Sequence, residues 1–129
     1  MIYLASPYSH SSVLVRQHRF EAACRAAAAL LRAGVAVFSP IAHSHPIAQF
    51  GVPTTWEFWS RLDREYLARC DVLAVLTLPG WRESVGVQAE MTLARELGVP
   101  LVFVTPDELE TGINPPKLAE LKRRCESAA

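Results

Sequence analysis

Four short, unbroken apolar runs set apart by helical stretches constrain this chain more than any other feature. Ile2-Tyr3-Leu4-Ala5, Val35-Ala36-Val37-Phe38, Asp71 to Leu76 and Pro100 to Val104 each read as a strand bounded by turn residues. A strand with one face in water alternates apolar and polar residues, whereas a run that is apolar throughout is covered on both faces. Such strands alternating with helices build a parallel sheet between two helix layers. The pattern predicts a small, three-layer, doubly wound α/β fold. One domain over residues 1–129 is expected, because ~100–150 residues is the commonest size of a single core.

The helices follow from period and caps. Ser11 or Ser12 caps the first, in which Phe20, Cys24, Ala27 and Leu31 form an apolar stripe. Arg16, Arg19, Glu21, Arg25 and Arg32 supply its solvated side, and Gly34 ends it. Pro40–Pro53 shows no period and holds three prolines, so it reads as a long loop. Thr54 or Thr55 caps a second helix that runs to about Arg69, with Glu57 near the capping-box position. Ser84 caps a third, which runs to Leu97 and stops at Gly98. A charged, mostly exposed helix is expected from Pro115 onward. Ligands of open α/β sheets bind beyond the carboxyl ends of the strands. That rule selects the loops Ser6–Ser12, Pro40–Pro53 and Thr77–Ser84.

Composition narrows the partners. Thirteen basic and thirteen acidic residues give a formal net charge of zero. A nucleic-acid surface or a polybasic membrane patch needs a positive excess, so neither partner is expected. No apolar run approaches the ~18–20 residues of a membrane span, and the first residues do not resemble a signal peptide. Cys24, Cys70 and Cys125 are widely spaced with no Cys-x-x-Cys pair, as in a cytoplasmic protein with reduced thiols.

Two acids break the local pattern. Glu90 falls three residues after Val87 and four before Ala94, inside the stripe Val87, Ala94, Leu97 of the third helix. A core-facing carboxylate is costly and needs a reason to be there. The alternative stripe Val87, Met91, Ala94 turns Glu90 toward solvent. Asp63 lies at the edge of the second helix's apolar face of Trp56, Trp59, Leu62 and Tyr66. It is either a solvated acid paired with Arg64 or Arg69, or an acid whose pKa is raised by the rings so that it can donate a proton. Asp71 opens a strand at the far end of the sheet and reads as a turn residue.

Candidate ligand contacts surround these acids. Ser6, Tyr8 and His10 lie in the first loop, and Ser84 and Gly86 enter the third helix, where Gly86 allows a ligand close to the first turn. Tyr3, Tyr8 and Trp81 can stack on a planar ring or simply pack. His43-Ser44-His45 invites a metal reading, but no cysteine or acid nearby in sequence completes a ligand set. Hydrogen bonding to a ligand by one histidine, His43 or His10, is the preferred reading. No metal and no cofactor is expected.

Taken together, these blocks resemble the nucleoside 2-deoxyribosyltransferase superfamily, in particular a branch described as a domain of unknown function. The resemblance covers Ile2 to about Val104. It rests on Ile2-Tyr3-Leu4-Ala5-Ser6-Pro7-Tyr8, on Val37-Phe38-Ser39-Pro40-Ile41, on Asp63-x-x-x-Leu67-x-x-Cys70-Asp71-Val72, on Ser84-x-Gly86-x-x-x-Glu90 and on Leu97-Gly98-Val99-Pro100. It implies a flavodoxin-like fold, a homo-oligomer (dimer or tetramer), and cleavage or transfer of the N-glycosidic bond of a nucleoside or nucleoside monophosphate. It further implies that Glu90 is the nucleophile, that Asp63 assists as proton donor or hydroxyl ligand, and that Ser84 binds substrate. That chemistry asks for an ionised Glu90 and a protonated Asp63 as the base departs. The glycine-bearing phosphate loop of phosphate-specific relatives is replaced here by Ala5-Ser6-Pro7-Tyr8-Ser9-His10, where only side chains such as Arg16 and the serines can hold an anion. A non-catalytic nucleotide-binding or sensing module of the same fold is the alternative from another class.

Overall fold

Every residue of Ile2–Ala5, the first strand (β1), is buried, and its pleat divides the interior into two cores. Ile2 and Leu4 enter one with Ala26, Leu30, Leu109 and Leu121. Tyr3 and Ala5 enter the other with Leu67, Val87, Met91 and Ala94. Successive strand residues point to opposite faces, so a fully apolar strand needs a helix layer on each side.

The computed structural model describes residues 1–126. After β1 come α1 (Val13–Arg32), β2 (Val37–Phe38), α2 (Pro40–Ala48), α3 (Trp56–Leu67) and β3 (Val72–Leu76). They are followed by α4 (Val85–Leu97), β4 (Leu101–Val104), α5 (Pro106–Thr111) and α6 (Pro115–Glu126). The strands form one parallel sheet in the order β2-β1-β3-β4. Tyr3 aligns with Phe38 on one side and Leu73 on the other. The expected doubly wound α/β architecture is therefore the observed one. Helices α1, α5 and α6 cover the first core, and α3 and α4 the second. Among the described residues no helix is long and apolar enough to cross a membrane.

Several local expectations are corrected. The buried face of α1 is Ala23, Ala26 and Leu30, one residue back from the expected stripe, and Leu31 is 57% exposed. Small side chains let this helix lie close on the sheet, so residue size was a poor guide to its inner face. The second strand is shorter than expected. Gly34, at φ +88°, turns the chain, and the Val35 amide returns to the Leu30 carbonyl at 3.0 Å instead of entering the sheet.

The Pro40–Pro53 loop begins as helix α2. The Ser39 hydroxyl accepts from the Ala42 amide at 3.1 Å, and Pro40 occupies the first turn, where a missing N–H costs nothing. Pro46 sits in its last turn, and the helix stops two residues later. No capping box forms on α3: Thr55 is the cap, which leaves Glu57 one place too early. A short helix not anticipated, α5, does carry one, with reciprocal bonds of 3.1 Å and 2.8 Å between Thr105 and Glu108. Helix α6 is not merely a surface helix, because Leu121 is buried in the first core.

Candidate active site

Glu90 is reached from the helix that carries it. The Ser84 hydroxyl caps α4 by accepting the Val87 amide at 3.2 Å, and Gly98 ends it in the left-handed conformation (φ +72°). Between these stops Val87, Glu90, Met91, Leu93 and Ala94 face inward, while Leu97 is 43% exposed and leaves the expected stripe. Glu90 is only 5% exposed. Of the two readings of this helix, the inward one is correct.

The partner of Glu90 comes from the middle of β1. The Tyr3 hydroxyl donates to Glu90 Oε2 across the second core. Asp63 joins them from α3. It is only 7% exposed, lies on the inner face of its helix with Leu67, and pairs with neither Arg64 nor Arg69. Among the described residues it has no hydrogen-bond partner.

Low-dielectric surroundings disfavour the charged forms of all three groups. Burial pushes the Asp63 carboxyl up to about 7. Glu90 is pushed up to about 8 by burial, against the Tyr3 hydrogen bond and with the added repulsion of Asp63. The Tyr3 phenol is raised well above its ordinary value by burial and then by the two carboxyls. Burial thus favours the protonated form of both acids, including Glu90, for which the expected chemistry asks for an ionised form. Interacting acids of this kind titrate as a pair.

The other candidate residues take varied places. The Ser6 hydroxyl, at the carboxyl end of β1, is buried with no hydrogen-bond partner among the described residues. Tyr8 is spent on the protein: its hydroxyl meets His45 Nδ1 at 2.6 Å, and His45 Nε2 meets Gln17 at 3.0 Å. His45 also stacks on Phe20, with centroids 4.2 Å apart. His10 is exposed and accepts the Ser12 amide at 2.9 Å.

His43 is exposed beside a ring cluster in which Phe38 and Tyr66 stack at 3.8 Å, with Trp59 at the edge of the imidazole. The two histidines of the His-x-His pair therefore serve different neighbours. Among the described residues no three His, Cys, Asp or Glu side chains come together as a metal site. Trp81 packs on Phe103 at 5.4 Å, and the Arg82 guanidinium lies over its ring. At Gly86 an added Cβ meets nothing closer than 4.0 Å, so the first turn of α4 is sterically open. Asp71 is structural, as expected, with its amide on the Met1 carbonyl at 2.9 Å.

The structure thus brings Tyr3, Asp63 and Glu90 into one electrostatic unit. His10 stands apart, and Tyr8 and Trp81 serve as packing residues. Sequence reasoning missed the Tyr3–Glu90 bond and the roles of His45, Phe38 and Tyr66. Two surface grooves of about 620 Å³ each, between α1 and α5 and between α3 and α4, include neither Glu90 nor Asp63.

A single parallel four-stranded sheet between two helix layers defines an α/β protein of the nucleoside 2-deoxyribosyltransferase-like fold. Among solved structures, a 2-deoxyribosyltransferase from the psychrotolerant bacterium Bacillus psychrosaccharolyticus is similar to it, with a TM-score of 0.59 and 25% identity. The match covers 81% of this chain and 72% of that one. Residues 1–105 match the family described as domain of unknown function DUF1937, and the chain belongs to that family. No curated protein matches the chain.

Proposed function

We propose that this protein cleaves or transfers the N-glycosidic bond of a nucleoside or nucleoside monophosphate. Glu90 attacks the anomeric carbon and Asp63 protonates the departing base. The observation that carries this reading is the pair of buried carboxyls, Glu90 and Asp63, sharing one site with the Tyr3 hydroxyl. The solved relative supports it, being a 2-deoxyribosyltransferase described as a biocatalyst for nucleoside synthesis.

The chemistry uses one proton. As the C1′–N bond breaks, positive charge grows on the sugar and favours an ionised Glu90. The protonated Asp63 gives its proton to the base nitrogen, while Glu90 reacts in its ionised form. Glu90 Oε1, the oxygen not bonded to Tyr3, closes a glycosyl ester with C1′. Water then attacks C1′ to give the free sugar, or a ring nitrogen of a second base attacks to give a new nucleoside. In either case the C1′–Oε1 bond breaks, Glu90 leaves as the carboxylate and the attacker's proton returns to Asp63.

The remaining contacts are assigned from what is free. The unspent Ser6 hydroxyl, the exposed His43 imidazole and the open turn at Gly86 meet substrate. Tyr3 holds the nucleophile, while Tyr8, Trp81 and Ser84 shape the walls. The protein assembles as a homo-oligomer, which light scattering measures directly.

The test is purified protein with a panel of ribo- and 2-deoxyribonucleosides and their 5′-monophosphates, with and without an acceptor base, followed by chromatography for free base. Release is expected from at least one of them, and Glu90→Gln should lower it roughly 10³-fold or more. No release from any of them, or full activity in Glu90→Gln, overturns the proposal.

A further inference from the structure

Helix α1 has a second face that the site does not use. Its flank toward α5 is only partly covered by the first core and lines a groove of about 620 Å³ with Leu78 and Leu109. Along that flank the half-buried Val15, Ala22 and Ala29 recur every seven residues, with the buried Ala26 between them. Small and apolar side chains at heptad spacing are what a second helix packs against, since they let two backbones approach closely. The rim repeats with the same period: His18, Arg25 and Arg32 are all exposed and line the groove's outer edge. Arg25 and Arg32 make no ion pair among the described residues. Glu21, one turn before Arg25, is hydrogen-bonded to Gln17 at 3.2 Å, and Glu110 is the one acid that lines the groove.

We propose that this groove docks an acidic amphipathic helix of a partner protein, with its apolar ridge on Val15, Ala22 and Ala29 and its carboxylates on Arg25 and Arg32. Charge argues against a second copy of this chain as occupant. Two such flanks face to face bring His18, Arg25 and Arg32 of both copies together, and the first turn of α1 offers no acid to receive them. An acyl chain has a single anionic head, whereas the cations here are spaced over seven residues, about 10 Å of helix. Helix-in-groove recognition of this kind is read through anchors at regular helical spacing.

The experiment uses two fluorescently labelled 21-residue peptides, each with leucine at two positions of every heptad, flanked by glutamate in one and by lysine in the other. Anisotropy titrations into the whole protein should show saturable binding of the glutamate peptide, at least tenfold tighter than the lysine peptide and weaker with added salt. The surface double variant Arg25→Glu/Arg32→Glu should reverse that preference, and Ala29→Trp, which fills the groove, should abolish binding of both peptides. Equal binding of the two peptides, no binding of the glutamate peptide, or an unchanged preference in the double variant overturns the proposal. So does a wild-type dimer that dissociates in Arg25→Glu/Arg32→Glu, which would make the groove a self-interface, or displacement of the glutamate peptide by stoichiometric laurate.

Discussion

Glu90 and Asp63 carry opposite consequences for stability and for chemistry. Both are held protonated by burial at pH values where an unfolded chain has already lost the proton. With the folded pKa above the unfolded one, the contribution of each acid to stability is greatest below about pH 4. It falls as pH rises toward about 8, because over that window the native state binds more protons than the unfolded state. Replacing Glu90 by the isosteric glutamine removes the penalty. Glu90→Gln is expected to stabilise the protein at pH 8 by on the order of 2 kcal/mol and to flatten its stability between pH 5 and 8, as chemical denaturation would show. A less stable Glu90→Gln at pH 8 contradicts the burial argument. Tyr3→Phe acts on the same group from the other side. Loss of the donor to Oε2 leaves the Glu90 anion less stabilised, so its pKa rises and the acid limb of the activity profile moves up by about one unit. Glu90 was legible in the sequence because a carboxylate inside an apolar stripe is conspicuous. Tyr3 was singled out only as a ring that could stack; its bond to Glu90 was not legible, because the two lie 87 residues apart in sequence and only the fold brings them together.

At the level of elements, α2 shows where pattern reasoning fails and what the missed helix does. Ser39-Pro40 reads equally well as the end of a strand or as the cap and first residue of a helix, and only the bond from the Ala42 amide decides. The Thr105–Glu108 capping box was a legible signal of the same kind, overlooked because α5 is only six residues long. Through His45, α2 ties the first loop to α1, with bonds to Tyr8 and Gln17 and a ring stacked on Phe20. His45→Ala removes all three contacts and leaves the Tyr8 hydroxyl with only the nearby Arg16, so a loss of about 1–2 kcal/mol is expected in denaturant titrations. Burial and nearby Arg16 hold the His45 pKa below its ordinary value. A histidine of this sign favours the folded state above about pH 6.5, and that contribution fades as pH falls. His45→Ala should therefore cost most at neutral pH and less near pH 5.

Across the molecule as a whole, one sheet separates the buried acids from the opposite core. Tyr3, Asp63 and Glu90 lie under α3 and α4, whereas Leu121 of α6 fills the opposite core with Leu4, Leu30 and Val72. The four apolar runs made this layering legible, but not which layer holds the acids, because a continuous apolar strand gives no clue to its inward side. The separation is testable. Leu121 is 1% exposed, so Leu121→Ala opens a cavity and should cost about 3 kcal/mol. Two packed layers put roughly 10 Å between that cavity and Glu90, with no shared partner, and effects at such sites add. The double variant Leu121→Ala/Glu90→Gln should therefore show the sum of the single effects to within about 0.5 kcal/mol at pH 8. The pH dependence of stability in Leu121→Ala should keep the wild-type slope, because the carboxyl pair stays dry behind an intact sheet. A coupling larger than about 1 kcal/mol would mean that the sheet yields to a cavity on one face. The acids would then owe their raised pKa values to the whole fold and not to the layer formed by α3 and α4.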